Sequence, residues 1–179
     1  MAEDLQVILS GDGSHTLFVP SLDEHFHSVN GALQESEHVF INAGYNFIDK
    51  DQVNILEIGF GTGLNTFLTC LKADDQKKQI IYTALEPFPL DRSIWSKLNY
   101  PDLLQNPNAG HTFQKIHEAE WEKEVRINKN FKIIKRKKTL EKIILPNALY
   151  DLVYFDAFAP GVNPELWTKD IFIKVYKYA

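Results

Sequence analysis

The stretch "ILEIGFGTGLNTF" at residues 55–67 decides the fold of this chain. It begins with an apolar run, which is typical of a β-strand buried on both faces of a sheet. Three glycines follow at alternate positions, Gly59, Gly61 and Gly63, and a helix-like run begins at Leu64. A strand, a glycine turn and a helix in this order predict a unit whose turn presents bare backbone to a ligand.

The same alternation of strand and helix continues from residue 53 to the end of the sequence. The strand-like runs are "VNILEIGF", "QIIYTALE", "FKIIKRK" and "YDLVYFDAF". The helix-like runs are "LNTFLTCLKA", "PLDRSIWSKLNY", "PDLLQNPNAGHTFQKIHEAEWE" and "TKDIFIKVYKY". This order predicts an α/β fold with a doubly wound, mostly parallel sheet. "EVRIN" and "FKIIKRK" flank the turn "NKN" and predict a hairpin.

A different pattern precedes the sheet. "LQVIL" and "HTLFVP" predict two short strands around the turn "SGDGS", and residues 29–48 have helical spacing of their apolar residues. The length of 179 residues favours one domain. We therefore divide a single domain into an N-terminal layer of hairpin and helix, residues 1–52, and the first part of the sheet core, residues 53–179.

Composition restricts the class of protein. Hydrophobic residues make up 44% of the chain, which is enough for a packed core, and the net charge is −5. One cysteine, Cys70, excludes an intrachain disulfide, and its apolar helix-like surroundings favour a buried structural thiol. The acidic start lacks a signal-peptide pattern, and no run reaches the roughly 20 apolar residues of a membrane span. These features predict a soluble cytoplasmic protein that is not bound to a membrane.

The glycine turn predicts a nucleotide-like cofactor. Its spacing, G-x-G-x-G, differs from the G-x-G-x-x-G of dinucleotide sites, because Leu64 replaces the third glycine. That variant suits a cofactor without a pyrophosphate, of which S-adenosylmethionine is the obvious case. The candidate cofactor residues are Gly59, Phe60, Gly61, Thr62 and Gly63. Free N–H groups of the turn are expected to hold an anionic group of the cofactor. A tight turn without a ligand is the structural alternative.

Two carboxylates frame this turn along the chain. Glu57 precedes the first glycine and is expected either to orient the turn or to reach the ammonium group of the cofactor. Glu86 ends the next predicted strand, where an acidic side chain accepts hydrogen bonds from ribose hydroxyls. NAD and S-adenosylmethionine share that ribose contact, so Glu86 does not distinguish them. The glycine spacing disfavours an NAD-dependent oxidoreductase.

A third strand end carries the candidate reactive group. "YFDAFAPGVNPELW" places Asp156 directly after an apolar strand, at the same predicted edge of the sheet. A carboxylate there can hold or deprotonate an amine nucleophile, because methyl transfer to nitrogen requires a neutral lone pair. Phe158 can stack on a flat base. The alternative for Asp156 is a helix cap or a carboxylate that orders a loop.

These motifs resemble one family over nearly the whole chain. "ILEIGFGTGLNTF", "LEPFPL" and "YFDAFAPGVNPELWT", together with the N-terminal "DGSHTL" and "FHSVNGALQESEHVF", are similar to the tRNA 5-methylaminomethyl-2-thiouridine methyltransferases. The resemblance implies a Rossmann-like methyltransferase that uses S-adenosylmethionine. Its expected substrate is tRNA, methylated on the aminomethyl nitrogen at C5 of the wobble uridine.

The resemblance also implies roles for particular residues. It places Gly59, Gly61, Gly63 and Glu86 on the cofactor. It places Asp156 and Phe158, with the neighbouring Pro160, where methyl donor and substrate meet. It further suggests that "HSVNGALQES" closes over the methionine end of the cofactor, with Ser28 and Glu35 as candidates. The structural alternative for Ser28 is a helix cap.

The sequence departs from the family pattern in two places. Family members carry an acidic residue after the third strand, where this chain has Arg136, Lys137 and Lys138. A lysine cannot accept the hydrogen bond of an adenine amino group. Members of the family also continue beyond the position of Ala179 with further strands. We therefore expect this sequence to be a fragment, with an apolar sheet edge exposed on "LVYFD".

Positive charge is concentrated in one segment. Residues 129–142, "KNFKIIKRKKTLEK", hold seven Lys or Arg against one acid. Such a run can bind the phosphates of tRNA, and it can equally be a solubilising face on an edge strand. His25, His27 and His38 lack the acids or cysteines that would complete a metal site, so no metal is expected. A non-catalytic module that binds tRNA or a protein partner remains the alternative from another functional class.

Overall fold

The computed structural model describes residues 5–179, which form two sheets and the helices around them. The strands are β1 Gln6–Leu9, β2 His15–Val19, β3 Glu24–His25, β4 Gln52–Ile58, β5 Gln79–Leu85, β6 Glu124–Arg126, β7 Phe131–Arg136 and β8 Leu152–Phe155. The α-helices are α1 Ala32–Ser36, α2 Leu64–Gln76, α3 Arg92–Trp95, α4 Ala109–Glu118 and α5 Lys169–Tyr178. A π-helical segment spans Glu37–Asn42, and single 3₁₀ turns span Tyr45–Phe47, Tyr100–Leu103 and Pro164–Leu166.

The larger sheet confirms the predicted α/β fold. Its order is β6-β7-β5-β4-β8, and every neighbouring pair is parallel except β6 with β7. The hairpin predicted from "EVRIN" and "FKIIKRK" is this antiparallel pair, and its second arm β7 is an interior strand beside β5. Parallel alignment brings the carboxyl ends of β4, β5, β7 and β8 to one edge of the sheet.

Hydrophobic clusters cover both faces of this sheet. Alternate residues of β4 point to opposite faces, so Val53 and Ile55 join one cluster while Leu56 and Ile58 join the other. Helices α2 and α4 pack in the first cluster, and α5 supplies Ile171 and Tyr178 to the second. Burial on both faces explains why β4 and β5 read as continuous apolar runs.

The N-terminal layer forms a separate three-stranded sheet. The hairpin of β1 and β2 is confirmed, with Gln6 opposite Phe18 and Leu9 opposite His15. The short strand β3 was not predicted, since two residues carry too little pattern. The helix expected over residues 29–48 is shorter and begins at Ala32, after which the chain widens into the π-helical segment.

Two helix predictions in the middle of the chain were wrong in extent. The run "PLDRSIWSKLNY" predicts a helix with Pro89 in its first turn, but α3 begins only after Asp91, whose side chain caps it by accepting from the N–H of Ser93 at 2.8 Å. The run "PDLLQNPNAGHTFQKIHEAEWE" predicts a helix broken at Pro107 and Gly110, but Gly110 lies inside α4. The helix predicted from "TKDIFIKVYKY" is α5, and Thr168 caps it, because the Thr168 hydroxyl accepts from the N–H of Ile171.

Strand β8 forms one edge of the sheet described over residues 5–179, where its hydrogen-bonded neighbour is β4. Its apolar side chains other than Tyr154 are half-buried. The ring of Phe155 is covered by Phe172 of α5 and by Trp167, at centroid distances of 5.3 and 5.2 Å. On the outer side of α5, Phe172, Ile173 and Tyr176 are exposed.

Candidate active site

A cavity of about 680 Å³ opens at the carboxyl ends of β4, β5 and β8. The structure brings most of the residues singled out from the sequence to its wall. They are Ser28, Glu35, Gly59, Phe60, Gly61, Glu86, Asp156 and Phe158. Glu57, Thr62, Gly63 and Pro160 are not among the lining residues. The predicted convergence of three strand ends on one site is therefore present in the molecule.

The glycine turn is shaped by close contacts with its own protein. Gly59 has φ +91°, and a Cβ atom there would lie 2.1 Å from the carbonyl oxygen of Asp156. Only glycine allows the chain after β8 to pass so close to the turn. Gly63 faces the interior, where a Cβ would meet the rings of Phe60 and His117 at 2.9 and 3.0 Å.

Most N–H groups of the turn are already used. Those of Gly59 and Phe60 donate to the Leu85 carbonyl at 3.0 and 3.1 Å, and that of Gly63 donates to the Phe60 carbonyl at 2.8 Å. The N–H of Gly61 donates to Oε2 of Glu86 at 2.9 Å. The expectation of free donors for an anionic group is thus wrong for these four N–H groups. Their use inside the protein agrees with a ligand that brings no pyrophosphate.

Glu86 joins the turn to the end of β5. Its second oxygen, Oε1, accepts from the N–H of Phe88 at 2.9 Å. Burial raises the pKa of the Glu86 carboxyl, and the two backbone hydrogen bonds oppose that rise. Each carboxylate oxygen can accept more than one hydrogen bond. Glu86 therefore keeps acceptor capacity for hydroxyl groups in the cavity.

Asp156 follows β8 and faces the same cavity with fewer partners. Its Oδ2 accepts from Nδ2 of Asn65 at 2.7 Å. Burial raises the pKa of Asp156 to about 7, the Asn65 hydrogen bond lowers it, and the nearby charge of Glu35 raises it. A carboxyl with a pKa near neutrality is suited to accept a proton from an amine.

Glu57 lies beneath the turn and is fully buried. The hydroxyl of Thr66 on α2 donates to its Oε2 at 2.7 Å. Burial raises the pKa of Glu57 well above its usual range, and the charge of Asp156 adds to the rise. Of the two expected roles, contact with a ligand in the cavity does not fit this position, whereas support of the turn does.

The N-terminal layer forms the opposite wall of the cavity. The N–H of Ser28 donates to Oε2 of Glu35 at 2.8 Å, and the Ser28 hydroxyl accepts from the N–H of Asn30. Ser28 is therefore not a helix cap, because the residue at that position of α1 is Gly31. Pro160 is exposed outside the cavity.

Phe26 and His27 were not predicted from the sequence to take part in this site. The ring of Phe26 lies 3.2 Å from the position of a Cβ on Gly61 and packs edge-to-face on Phe158 at a centroid distance of 5.3 Å. His27 is buried with its Nε2 2.7 Å from Oγ1 of Thr62, and burial lowers its pKa to about 4. Phe26 touches both the glycine turn and the Asp156 loop. Two adjacent residues, Phe and His, form no recognisable sequence pattern. The contacts of Phe26 with the turn and the loop arise only from the tertiary fold.

The basic run divides into parts with different environments. Lys135 is buried, donates to the carbonyl of His117 at 2.6 Å and lies 4.7 Å from the ring centroid of Trp121. Burial and the charge of Lys137 lower the pKa of Lys135 to about 8. Lys132 and Arg136 form ion pairs with Glu124 and Glu122.

The remaining lysines of the run are exposed at two ends of β7. Lys138 lines the cavity and Lys137 precedes it, while Lys142 follows in the same loop. Lys129 precedes β7 and so lies at the opposite rim of the sheet. The reading of the run as a face of an edge strand is wrong, because β7 is an interior strand.

Two features are absent from the part of the chain that spans residues 5–179. No helix in this part of the chain has the length and apolar character needed to cross a membrane. The described residues contain no group of three or more His, Cys, Asp or Glu side chains arranged to hold a metal ion.

Comparison with known proteins gives the same fold and family. Residues 104–179 match the model of a family described as S-adenosyl-L-methionine-dependent methyltransferase. A crystal structure of MNMC2 from Aquifex aeolicus superposes with a TM-score of 0.72 at 23% identity, covering 96% of this chain and 55% of that chain. This likeness shows a shared fold.

Curated relatives extend the match over nearly the whole sequence. Each is named tRNA 5-methylaminomethyl-2-thiouridine biosynthesis bifunctional protein MnmC. The protein from Magnetococcus marinus is 26% identical over 93% of this chain and 26% of its own length. The protein from Cupriavidus metallidurans is 28% identical over 95% of this chain and 27% of its own length. The protein from Leptospira interrogans is 32% identical over 83% of this chain and 25% of its own length.

These matches support an MnmC methyltransferase-like family for this chain. The chain spans about a quarter of the length of these MnmC relatives. The family resemblance that the motifs predicted is confirmed, and so is the α/β methyltransferase fold.

Proposed function

We propose that this chain is an S-adenosylmethionine-dependent N-methyltransferase that acts on tRNA. The acceptor is the aminomethyl nitrogen at C5 of the wobble 2-thiouridine, and the product is 5-methylaminomethyl-2-thiouridine. The observation that carries the proposal is the shared cavity, in which the glycine turn, Glu86 and Asp156 meet at adjacent strand ends. The family description and the names of the relatives support the choice of cofactor and substrate.

The donor side of the cavity fits S-adenosylmethionine. Glu86 offers carboxylate oxygens for the ribose hydroxyls, and the backbone at Phe60 and Gly61 gives a flat surface for the nucleoside. Thr62 and Gly63 shape the turn from its interior side, and Glu57 supports it from below. When bound, S-adenosylmethionine supplies a methyl group on a sulfonium centre.

The acceptor side positions the amine. The nitrogen lone pair forms the new N–C bond while the C–S bond breaks and its electron pair stays on sulfur. Asp156 holds the amine by hydrogen bonding and accepts its proton, because a carboxylate with a pKa near 7 is both ionised and basic enough at neutral pH. Phe158 and Phe26 keep water from the reacting atoms, with Ser28 and Glu35 closing the far wall. Pro160 shapes the loop after Phe158.

The tRNA approaches from the rim formed by the end of β7. Lys137, Lys138 and Lys142 carry exposed positive charge there, next to the cavity. These lysines attract the phosphate backbone, while the buried Lys135 is unavailable to it. Because tRNA is a cytoplasmic substrate, the proposal implies a cytoplasmic protein.

Methyl transfer to defined tRNA tests the proposal. The purified protein is incubated with radiolabelled S-adenosylmethionine and tRNA that carries 5-aminomethyl-2-thiouridine, and nucleosides are analysed by mass spectrometry. We expect 5-methylaminomethyl-2-thiouridine from this tRNA and none from tRNA with an unmodified wobble uridine. The Asp156→Asn variant is the matched control for protein-dependent transfer.

Calorimetry separates the competing functions. Binding of S-adenosylmethionine together with methyl incorporation supports the proposal. Binding of tRNA without affinity for S-adenosylmethionine contradicts it and favours the non-catalytic module. Affinity for NAD instead of S-adenosylmethionine contradicts it in favour of an oxidoreductase.

A further inference from the structure

Two buried oxygen atoms lie behind Asp156 without hydrogen-bond partners. They are Oε1 of Glu57 and Oδ1 of Asn65. Glu57 is 0% and Asn65 is 2% exposed, so water does not reach either side chain. An unsatisfied buried polar atom costs about 1–3 kcal/mol. Both atoms call for an explanation, and two acceptors can pair with each other only if one of them carries a proton.

The partners of the other atoms in these groups fix their orientation. Nδ2 of Asn65 donates to Asp156, and the hydroxyl of the next residue, Thr66, donates to Oε2 of Glu57, each at 2.7 Å. An amide carries its oxygen and nitrogen on opposite sides, so the bond to Asp156 turns Oδ1 away from Asp156. Because Asn65 and Thr66 are neighbours in α2, these two bonds bring the Asn65 amide to the side of the Glu57 carboxyl. Two consecutive residues of α2 therefore bridge the ends of the neighbouring strands β4 and β8.

We propose that Glu57 is a protonated carboxylic acid whose Oε1–H donates to Oδ1 of Asn65. Glu57 and Asn65 are then positioning residues, which hold the amide N–H on Asp156 and so hold Asp156 toward the cavity. The significance for methyl transfer rests on the proposed function, since that function assigns the proton-accepting role to Asp156. The placement of the proton does not depend on it.

The charges around both carboxyls support a neutral Glu57. Asp156 faces it from β8 and disfavours a second negative charge nearby. The phenols of Tyr82 on β5 and Tyr154 on β8 also face Glu57, and a hydrogen bond from Tyr82 acts in the opposite direction by lowering the pKa of Glu57. Glu35 faces Asp156 from α1. A neutral acid removes the repulsion between two carboxylates, and it is the only form of Glu57 that can donate.

One competing arrangement is available at the same place. The Tyr82 hydroxyl is also buried without a partner, and it lies within reach of Glu57. If this hydroxyl donates to Oε1 and Glu57 is ionised, Oδ1 of Asn65 has no donor and Asn65 is not anchored. The two arrangements differ in the protonation state of Glu57, which experiment can measure directly.

Difference infrared spectroscopy between the wild-type protein and Glu57→Gln reports that state without any need for enzymatic activity. At neutral pH we expect the carbonyl stretch of a carboxylic acid in the wild-type protein and its loss in the variant. Carboxylate bands that disappear in Glu57→Gln, without a carboxylic acid band, would overturn the proposal. The Tyr82→Phe variant is the control and is expected to keep the carboxylic acid band.

The positioning role of Glu57 and Asn65 is tested by measuring the titration midpoint of Asp156. NMR of carbon-labelled aspartate and the pH dependence of methyl transfer both report this midpoint. Glu57→Gln should leave the Asp156 midpoint in place, because its amide can donate to Asn65 and accept from Thr66. Glu57→Leu should raise the midpoint by about one pH unit, since Asn65 loses its anchor and its hydrogen bond to Asp156 weakens.

Two outcomes contradict the positioning role. A lower midpoint in Glu57→Gln would mean that a negative charge was removed, and an unchanged midpoint in Glu57→Leu would mean that Asn65 needs no anchor. Glu57→Met, which also lacks a donor for Asn65, gives the same comparison if Glu57→Leu does not fold. A protein without methyl transfer activity would contradict the proposed function. The infrared and NMR results would still decide whether Glu57 is protonated and whether it anchors Asn65.

Discussion

The ends of β5 and β8 carry one carboxylate each into the same cavity, but they hold it differently. Glu86 after β5 has both oxygens bound by backbone N–H groups of Gly61 and Phe88. Asp156 after β8 has a single side-chain donor, Asn65, and a pKa of about 7. A carboxylate fixed by backbone donors is suited to bind, whereas one with a free oxygen and a raised pKa is suited to take up a proton.

The largest expected effect is a loss of turnover when Asp156, but not Glu86, is replaced. Asp156→Asn should lower kcat by about 10²–10⁴-fold, because general-base assistance is lost. Its affinity for S-adenosylmethionine should change little. Single-turnover methyl transfer and calorimetry measure the two quantities. An Asp156→Asn variant with wild-type kcat would remove the distinction between the strand ends.

The pH dependence of turnover is the next test of Asp156. Its ionised form is the active one, and its pKa is about 7, so activity falls as pH drops through that value. We expect kcat/KM to lose about tenfold per pH unit below this pKa and to level above it. The acceptor amine also titrates, and Asp156→Asn serves as the control because it keeps that titration alone. Identical profiles for both proteins would contradict the assignment.

Replacement of Glu86 should lower the affinity for S-adenosylmethionine more than it lowers turnover. Glu86→Ala removes the acceptor proposed for the ribose and the partner of the Gly61 N–H. Affinity for S-adenosylmethionine should fall by about 10–100-fold, which corresponds to hydrogen bonds of about 1.5–3 kcal/mol to a charged group. Turnover at saturating cofactor should change less than affinity does. Calorimetry with S-adenosylmethionine and its 2′-deoxy analogue measures the loss.

The analogue gives this test its control. Wild-type protein should discriminate against the 2′-deoxy compound, and Glu86→Ala should bind both compounds with similar affinity. If the variant still discriminates, another group contacts the ribose, and Glu86 serves only to hold the turn.

The smallest effect concerns the basic run. Lys138→Ala should weaken tRNA binding by a few-fold and reduce the slope of log affinity against log salt by about 0.7–0.9, the value for one phosphate contact. Lys129→Ala is the matched control, since it lies at the opposite rim of the sheet and should change neither quantity. Equal effects of both substitutions would mean that the cavity rim is not the path of the tRNA.

Sequence predicted the regular half of this molecule well. The runs of β4, α2 and β5 carry strong periodic patterns, and the glycines between them mark the turn, so these elements appear where they were expected. Asp156 and Glu86 could be found because parallel strands bring their carboxyl ends together. The two-residue strand β3 and the short helix α3 have no comparable pattern.

Contacts between distant segments could not be predicted from the sequence. Asn65 reads as an ordinary residue of a helix, yet it bonds to Asp156, 91 positions away. Lys135 reads as one of many lysines, yet the fold encloses it between Trp121 and the end of α4. Phe26 belongs to a segment whose only regular feature is a two-residue strand. Such roles depend on which surfaces meet, and local pattern does not record that.

The approach of the Asp156 carbonyl to Gly59 has a mechanical consequence. No side chain separates the turn after β4 from the loop after β8, so the two backbones are in contact. Any side chain at position 59 would push the loop that carries Asp156 away from the turn, so one substitution there would disturb both halves of the cavity.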